Sequence, residues 1–198
     1  GAGIIAKTSA ATWNIPTPVH AASTTWKVKV NPDNSPDCQR AICRGYWLTL
    51  AVIILDQVTK LLAEQYLVYG QPVGLMPQLN LTLAYNTGAA FSFLHDAGGW
   101  QHMFFIVIAV SMSIIILVIL YRTPRKDLQL AIALWLILGG AIGNLIDRIR
   151  IQKVVDFIDF YVGNWHFATF NVADAAISIG AVLLIMDALG LRIFKYRL

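Results

Sequence analysis

The chain has 198 residues, of which 57% are hydrophobic and 13% are charged, and its formal net charge is +4. This composition excludes an ordinary soluble domain and is typical of a membrane protein. The cations occur in short groups between long apolar runs and not along one face, so nucleic acid is not an expected partner.

Residues 1–43 differ from the rest of the chain. They are rich in Ala, Thr, Ser, Asn and Pro, and one alternating stretch at 24–30 precedes a turn-like sequence at 31–34. We interpret residues 1–43 as an N-terminal tail or leader to which the sequence assigns no role. Residues 44–198 are expected to form one domain.

Four apolar segments follow, each close to the roughly 20 residues that cross a bilayer as a helix. Four spans place both termini on the same side, and the positive-inside rule predicts that this side is cytoplasmic. The cations Arg148, Arg150 and Lys153 are an exception to this rule, because the predicted topology places them on the outer side of the membrane. The predicted spans are residues 46–67, 101–121, 128–144 and 172–189. The cytoplasmic cations are Arg40, Arg44, Arg122, Arg125, Lys126, Arg192, Lys195 and Arg197.

Two long loops are therefore expected on the outer side, at about 68–100 and 145–171. Residues 79–85 of the first loop alternate between apolar and small polar residues, which predicts strands lying on the membrane surface.

Ionisable side chains inside predicted spans are candidates for function because they are costly to bury in lipid. Asp56 and Lys60 lie four residues apart on one face of the first helix. They are interpreted as an ion pair that supports packing, with Asp56 as an organiser of a site and not its catalyst.

The third span contains a face of small residues, Gly139 and Gly143, which predicts close approach of another helix. Asn144 and Arg148 lie four apart near its outer end. Two interpretations stay open here. Arg148 either extends towards the lipid headgroups, or it forms with Asn144 a group that holds a peptide carbonyl or a loop.

Asp156 and Asp174 are the strongest candidates for chemistry, because each carboxylate is embedded in apolar sequence at the outer surface. Two carboxyl groups that share a low-dielectric site do not both ionise easily. One keeps a proton while the other activates water, as in aspartic proteases. Asp159 is the alternative partner, but on an extended segment it points away from Asp156.

Each of these aspartates also has a purely structural interpretation. With Asn171 as N-cap, Asp174 occupies the third helical position and completes a capping arrangement. Asp156 would then be a solvated loop carboxylate. The helix N-terminus favours an ionised Asp174, which leaves Asp156 as the predicted proton carrier.

Five motifs occur in order, namely DQVTK from Asp56, NTGAAFSF from Asn86, GGAIGNLIDR from Gly139, VVDF from Val154 and FNVAD from Phe170. Over about residues 46–189 the chain thereby resembles the lipoprotein signal peptidase family, also called signal peptidase II. The resemblance implies an all-α membrane protein with four transmembrane helices, a small extracytoplasmic β-cradle and a surface helix from the first loop. It implies Asp156 and Asp174 as the catalytic aspartates, and the residues that it implies to shape or line the substrate site are Asp56, Asn86, Gly88, Asn144, Arg148 and Asn171.

The resemblance also implies an aspartic endopeptidase. Its expected substrate is a prolipoprotein whose cysteine carries a diacylglyceryl group, cut just before that cysteine, with membrane lipid as the other partner. No metal or organic cofactor is expected, and we expect a monomer. The expected location is the bacterial cytoplasmic (inner) membrane, with the active site at its outer face.

A different class of function is a small proton-coupled transporter, in which the membrane carboxylates form a proton relay. A second alternative is an assembly protein whose aspartates are structural, so that Asp156→Asn would leave its activity intact. The relay residues would be Asp56, Asp147, Asp156 and Asp174.

Overall fold

The computed structural model describes residues 36–88, 100–123 and 127–194, with side chains from Gly45 onward except at Gln101. These residues form four helices and one small four-stranded sheet. The helices are α1 (Pro36–Tyr66), α2 (Gln101–Arg122), α3 (Leu128–Ile151) and α4 (Val172–Ala188), and the strands are β1 (Val73–Met76), β2 (Leu79–Asn86), β3 (Val154–Val162) and β4 (Trp165–His166).

Within the part of the chain that the structure describes, three helical segments are long and apolar enough to cross a membrane: Gly45–Tyr66, His102–Arg122 and Leu128–Ile151. In α2 only 6% of the most apolar window is buried against other described residues. A helix that is apolar on all sides suits a lipid environment. The fourth helix is shorter, with 17 residues.

Two helices are longer than the apolar runs predicted. The first helix begins at Pro36, where the missing N–H of proline costs no helical hydrogen bond, so residues 36–43 are helical and not part of a tail. Residues 1–35, the remainder of the predicted tail, lie outside the described residues. The third helix continues past 144 to Ile151, and Asp147 in this added part is buried and paired with Lys60 of α1 instead of lying in a loop.

Small residues bring the helices together. A Cβ added to Gly139 would lie 2.9 Å from the Cβ of Val52, and one added to Gly143 would lie 2.6 Å from Oδ2 of Asp56. The face of small residues predicted in the third span is therefore confirmed, and its partner is α1.

The sheet is antiparallel with the order β1-β2-β3-β4. The strand predicted at 79–85 is confirmed as β2, which pairs with β3 so that Ala84 lies opposite Asp156 and Asn80 lies opposite Asp159. The expected surface helix of the first loop is not found in 67–88, and residues 89–99 lie outside the described residues.

Two apolar cores hold these layers. One joins the C-terminal end of α1 to the sheet through Ala63, Leu83, Val155 and Phe157. The other lies among the helices and is formed by Ile116, Leu134, Trp135 and Leu138. The strand that bears Asp156 is thus fixed by burial on the helical layer.

Candidate active site

Asp156 lies on β3 and its residue is 2% exposed. Its Oδ1 accepts a hydrogen bond from Nδ2 of Asn171 at 2.7 Å, and the Asn86 side chain also hydrogen-bonds to the carboxylate. The interpretation of Asp156 as a solvated loop carboxylate is therefore wrong. The segment pairs on both sides, with β2 and with Phe170, so it is held as a strand.

The protonation of Asp156 is shifted by its surroundings. Burial, and then the negative charge of Asp174, raise the pKa of Asp156 to about 6. Hydrogen bonds from Asn171 and Asn86 and the charge of Lys60 act in the opposite direction and offset only part of this shift. A proton on Asp156 is therefore retained to a higher pH than on an ordinary aspartate.

Asp174 lies at the third position of α4 and forms a capping box with Asn171, as the sequence predicted. Its Oδ2 accepts the backbone N–H of Asn171 at 3.3 Å, while its Oδ1 accepts Nδ2 of Asn144 at 2.8 Å. Capping does not exclude chemistry, because an ionised carboxylate has about four lone-pair positions.

Two buried amides connect the aspartates. The side chain of Asn171 donates to Asp156 and accepts the backbone N–H of Asp174 at 2.9 Å. Its Nδ2 also lies 3.3 Å from Oδ1 of Asn144, whose own Nδ2 reaches Asp174. The structure thus brings four of the predicted residues, Asp156, Asp174, Asn144 and Asn171, into one hydrogen-bonded group.

Asn86, Gly88 and Arg148 lie beside this group. Oδ1 of Asn86 accepts the N–H of Gly88 at 2.8 Å, in a turn where Gly88 has φ +88°, a conformation that suits glycine. A Cβ on Gly88 would collide with the ring of Phe105, and the same ring lies 5.1 Å beneath the guanidinium of Arg148. Phe105, which the sequence analysis missed, therefore connects α2 to the site.

Asp56 of α1 contacts the residue next to Asp174 from the interior of the helices. It is fully buried, and its Oδ1 accepts the N–H of Ala173 while its Oδ2 pairs with Lys60 at 2.9 Å. The predicted ion pair within α1 is confirmed. Asp147 joins it at 2.9 Å from Lys60, a partner that the sequence analysis missed. The sequence signal that could have found Asp147 is its position four residues after Gly143, which places both residues on the same side of α3.

Asp159 lies apart from these residues. The sequence predicted this, because side chains three positions apart on a strand point to opposite faces. Its carboxylate binds Nδ1 of His166 at 2.9 Å and the side chains of Thr82 and Asn80. Burial alone would raise the pKa of Asp159, but the hydrogen bonds from His166, Asn80 and Thr82 outweigh it, so the pKa is lowered. Asp159 acts as a connector of strands.

A cleft of about 440 Å³ opens beside Asp174. Its walls come from the segment between β4 and α4 and from the first turns of α4. The cleft is therefore lined by Asp174 together with apolar side chains. The main lining residues are Phe167, Thr169, Phe170, Asp174, Ser178 and Ile179.

Known proteins are similar to this chain in sequence and fold. The family model described as "Signal peptidase (SPase) II" matches residues 48–190. The lipoprotein signal peptidase of Hydrogenovibrio crunogenus is 52% identical over 146 residues, which cover 74% of this chain and 85% of that protein. That of Coxiella burnetii (strain Dugway) is 54% identical over 140 residues, covering 71% and 86%.

A solved structure titled as a bacterial membrane enzyme, obtained by the in meso method at 1.9 Å, has a TM-score of 0.68 and 32% identity to this chain. The alignment covers 75% of this chain and 94% of that one. The matched region contains every described element that bears the two aspartates and their amide partners. The chain is therefore a membrane protein that belongs to the signal peptidase II family, a family of aspartic peptidases.

Proposed function

We propose that this protein removes the signal peptide from diacylglyceryl-modified prolipoproteins and that Asp156 and Asp174 carry out the cleavage. The observation that carries this proposal is the hydrogen-bonded group in which Asn144 and Asn171 hold both carboxylates. The names of the curated relatives, lipoprotein signal peptidases, agree with it.

The proposed mechanism gives the two aspartates different roles. Asp174 lies at the positive end of α4 and accepts two hydrogen bonds, and we assign it the role of the base that takes a proton from water. Asp156, with its raised pKa, holds the proton. The water oxygen attacks the scissile carbonyl, and Asp156 donates to the developing oxyanion. Collapse of the tetrahedral intermediate then breaks the C–N bond as Asp156 donates its proton to the leaving nitrogen, while Asp174 holds the proton taken from water, so that the pair again carries one proton.

The neighbouring residues are proposed to hold the substrate backbone. Hydrogen-bond donors around the carboxylates would come from Asn86, Asn144, Asn171 and Arg148, and Gly88 would let the peptide backbone come close. The fully buried Asp56 would shape the site from the interior of the helices. The cleft beside Asp174 suits the peptide, and acyl chains in lipid would position the scissile bond before the modified cysteine. The proposed oligomeric state is a monomer.

The proposed topology has four transmembrane helices, both termini in the cytoplasm and the active site at the outer face of the bacterial cytoplasmic membrane. Arg192, after α4, lies 3.3 Å from Asp127 at the start of α3, so these two ends are neighbours. The sheet follows the opposite end of α3. Residues 44–198 are the proposed peptidase domain. The transporter alternative requires Asp56 and Asp147 to exchange protons, whereas both are paired with Lys60.

The test is cleavage of a purified diacylglyceryl-modified prolipoprotein, measured by gel shift. We expect Asp156→Asn and Asp174→Asn each to reduce the rate by at least about 10³-fold, within the usual effect of losing a general acid or base. The amide keeps the size and much of the hydrogen bonding of the carboxyl group but does not exchange the required proton.

Asp159→Asn is the matched control, since Asp159 is a buried aspartate on the same strand that faces His166. It should retain cleavage. Full activity in either of the other two variants would remove the proposed roles, and absence of cleavage by the wild type would remove the substrate assignment.

A further inference from the structure

Lys60 is a fully buried cation with three acceptors. Its Nζ lies 2.9 Å from Oδ2 of Asp56, 2.9 Å from Oδ2 of Asp147 and 2.8 Å from Oδ1 of Asn144. An ammonium group has three N–H donors and no acceptor, so these three contacts use its full capacity. Burial of such a charge is costly unless it is completely paired.

Each acceptor of Lys60 also holds a group next to one of the two aspartates. Oδ1 of Asp56 accepts the N–H of Ala173, the residue before Asp174, at 2.9 Å. Oδ2 of Asp147 accepts the N–H of Val155, the residue before Asp156, at 3.1 Å. The backbone on the N-terminal side of both aspartates is therefore connected to the same ammonium.

The third acceptor acts on Asp174 directly. Because Lys60 only donates, it requires the carbonyl oxygen of Asn144 to face it, and the NH₂ end of that amide then faces Oδ1 of Asp174 at 2.8 Å. Without the ammonium the oxygen of Asn144 keeps only the longer contact from Nδ2 of Asn171 at 3.3 Å, so this orientation of the amide is held less firmly. Rotation by half a turn would place the oxygen against the carboxylate and repel it.

We infer that Lys60 is a positioning residue for both aspartates, acting through Asn144, Asp147 and Asp56. This inference rests on the proposed function. Gln57 completes the group, since its Nε2 lies 3.1 Å from Asp56 and 3.2 Å from Asp147. A positioning residue that never contacts substrate alters the rate of the chemical step more than substrate binding.

The variant for the test is Lys60→Met/Asp147→Asn. Lys60→Met alone leaves two buried carboxylates without their cation and is expected to fold poorly. The double change keeps the formal charge of Asp56, Lys60 and position 147 at −1, because one cation and one anion are removed together. The asparagine oxygen at position 147 still accepts the N–H of Val155.

We expect this variant to remain folded, with KM within about twofold of the wild type and kcat reduced by roughly 10²-fold, the usual effect of a small misplacement. Adding Asn144→Ala should cause a smaller loss in this variant than it causes in the wild type, because both changes remove the same link to Asp174. Glu64→Gln is the control, since Glu64 pairs with Arg150 near the same end of α1. It should leave kcat unchanged.

Wild-type kcat in the double variant would overturn the inference, as would losses that multiply when Asn144→Ala is added. A rise in KM at constant kcat would assign Lys60 to substrate binding and overturn it as well. Failure of the proposed function would look different, because the wild type itself would not cleave the prolipoprotein.

Discussion

At the scale of single residues, Asp156 and Asp159 lie on the same strand and are both buried, yet their carboxylates are surrounded by different groups. Asp156 lies near the negative charge of Asp174, whereas Asp159 is bound by His166, Thr82 and Asn80. Burial acts to raise the pKa of both; at Asp156 it prevails together with the charge of Asp174, whereas at Asp159 the hydrogen bonds outweigh it.

The raised pKa of Asp156 predicts a pH-dependent cost to stability. An ordinary aspartate has a pKa of about 3.9, so stability contributed by Asp156 is lost as pH rises from about 4 through its folded pKa of about 6. Asp156→Asn lacks this titration and should unfold at a higher temperature than the wild type at pH 7, but not at pH 4. Thermal unfolding in detergent micelles at several pH values measures the difference.

Asp159→Asn should give the opposite sign at pH 7, because the pKa of Asp159 is lowered and its ionised form supports the folded sheet. That contribution is present above about pH 4 and is lost at lower pH. Equal stability changes for the two variants at pH 7 would contradict this account of their surroundings.

At the scale of helices and strands, α3 is the element on which the others are assembled. Its glycines allow close contact with α1 on one side and α4 on the other. The extension of α3 beyond its apolar run adds Asp147, which pairs with the same ammonium, Lys60, as Asn144. Apolar composition predicted the helix, but its length depended on polar residues finding partners.

Gly143→Ala tests this packing. The added methyl group would lie 2.6 Å from Oδ2 of Asp56, which is held by Lys60 and has little room to move. We expect a loss of stability of about 1–3 kcal/mol together with reduced cleavage, measured by thermal unfolding and gel shift.

Gly74→Ala in β1 is the comparison, because the nearest atom to its added Cβ is 3.8 Å away. It should leave stability and cleavage nearly unchanged. A Gly143→Ala variant as stable and active as Gly74→Ala would mean that α1 and α3 are not in such close contact.

At the scale of the whole molecule, the helices place the sheet and the Arg192–Asp127 pair at opposite ends of α3. The pair shares its end with part of the cationic groups that the positive-inside rule assigns to the cytoplasm. The exception formed by Arg148, Arg150 and Lys153 now has local partners. Arg150 pairs with Glu64 at 2.8 Å, and Lys153 lies 4.9 Å over the ring of Tyr85.

The proposed topology predicts which sites are labelled from outside the cell. After Cys38→Ser and Cys43→Ser, a single cysteine in the exposed turn at Asn164→Cys should react with an impermeant maleimide in intact spheroplasts. The exposed Leu191→Cys should react only after permeabilisation. The reverse pattern would invert the topology, and labelling of both from outside would exclude four spans.

The sequence predicted the helices, one strand and the identity of the candidate aspartates, because apolar runs, alternation and capping residues act over short distances along the chain. The pair Asp56–Lys60 and the cap Asn171–Asp174 are such local features. The resemblance of five motifs to signal peptidase II added the family, which the family match confirms.

By itself, the sequence therefore determined the membrane class, most of the segments that form helices and the local pairs. Only the tertiary structure decided which groups surround each carboxylate. The N–H of Ala173 reaches Asp56 across 117 positions of sequence, and Asn144 reaches Asp174 across 30. Such contacts follow from how closely α1, α3 and α4 pack, which no local pattern specifies. The pKa of Asp156 is likewise raised by burial and by Asp174, which is distant in sequence.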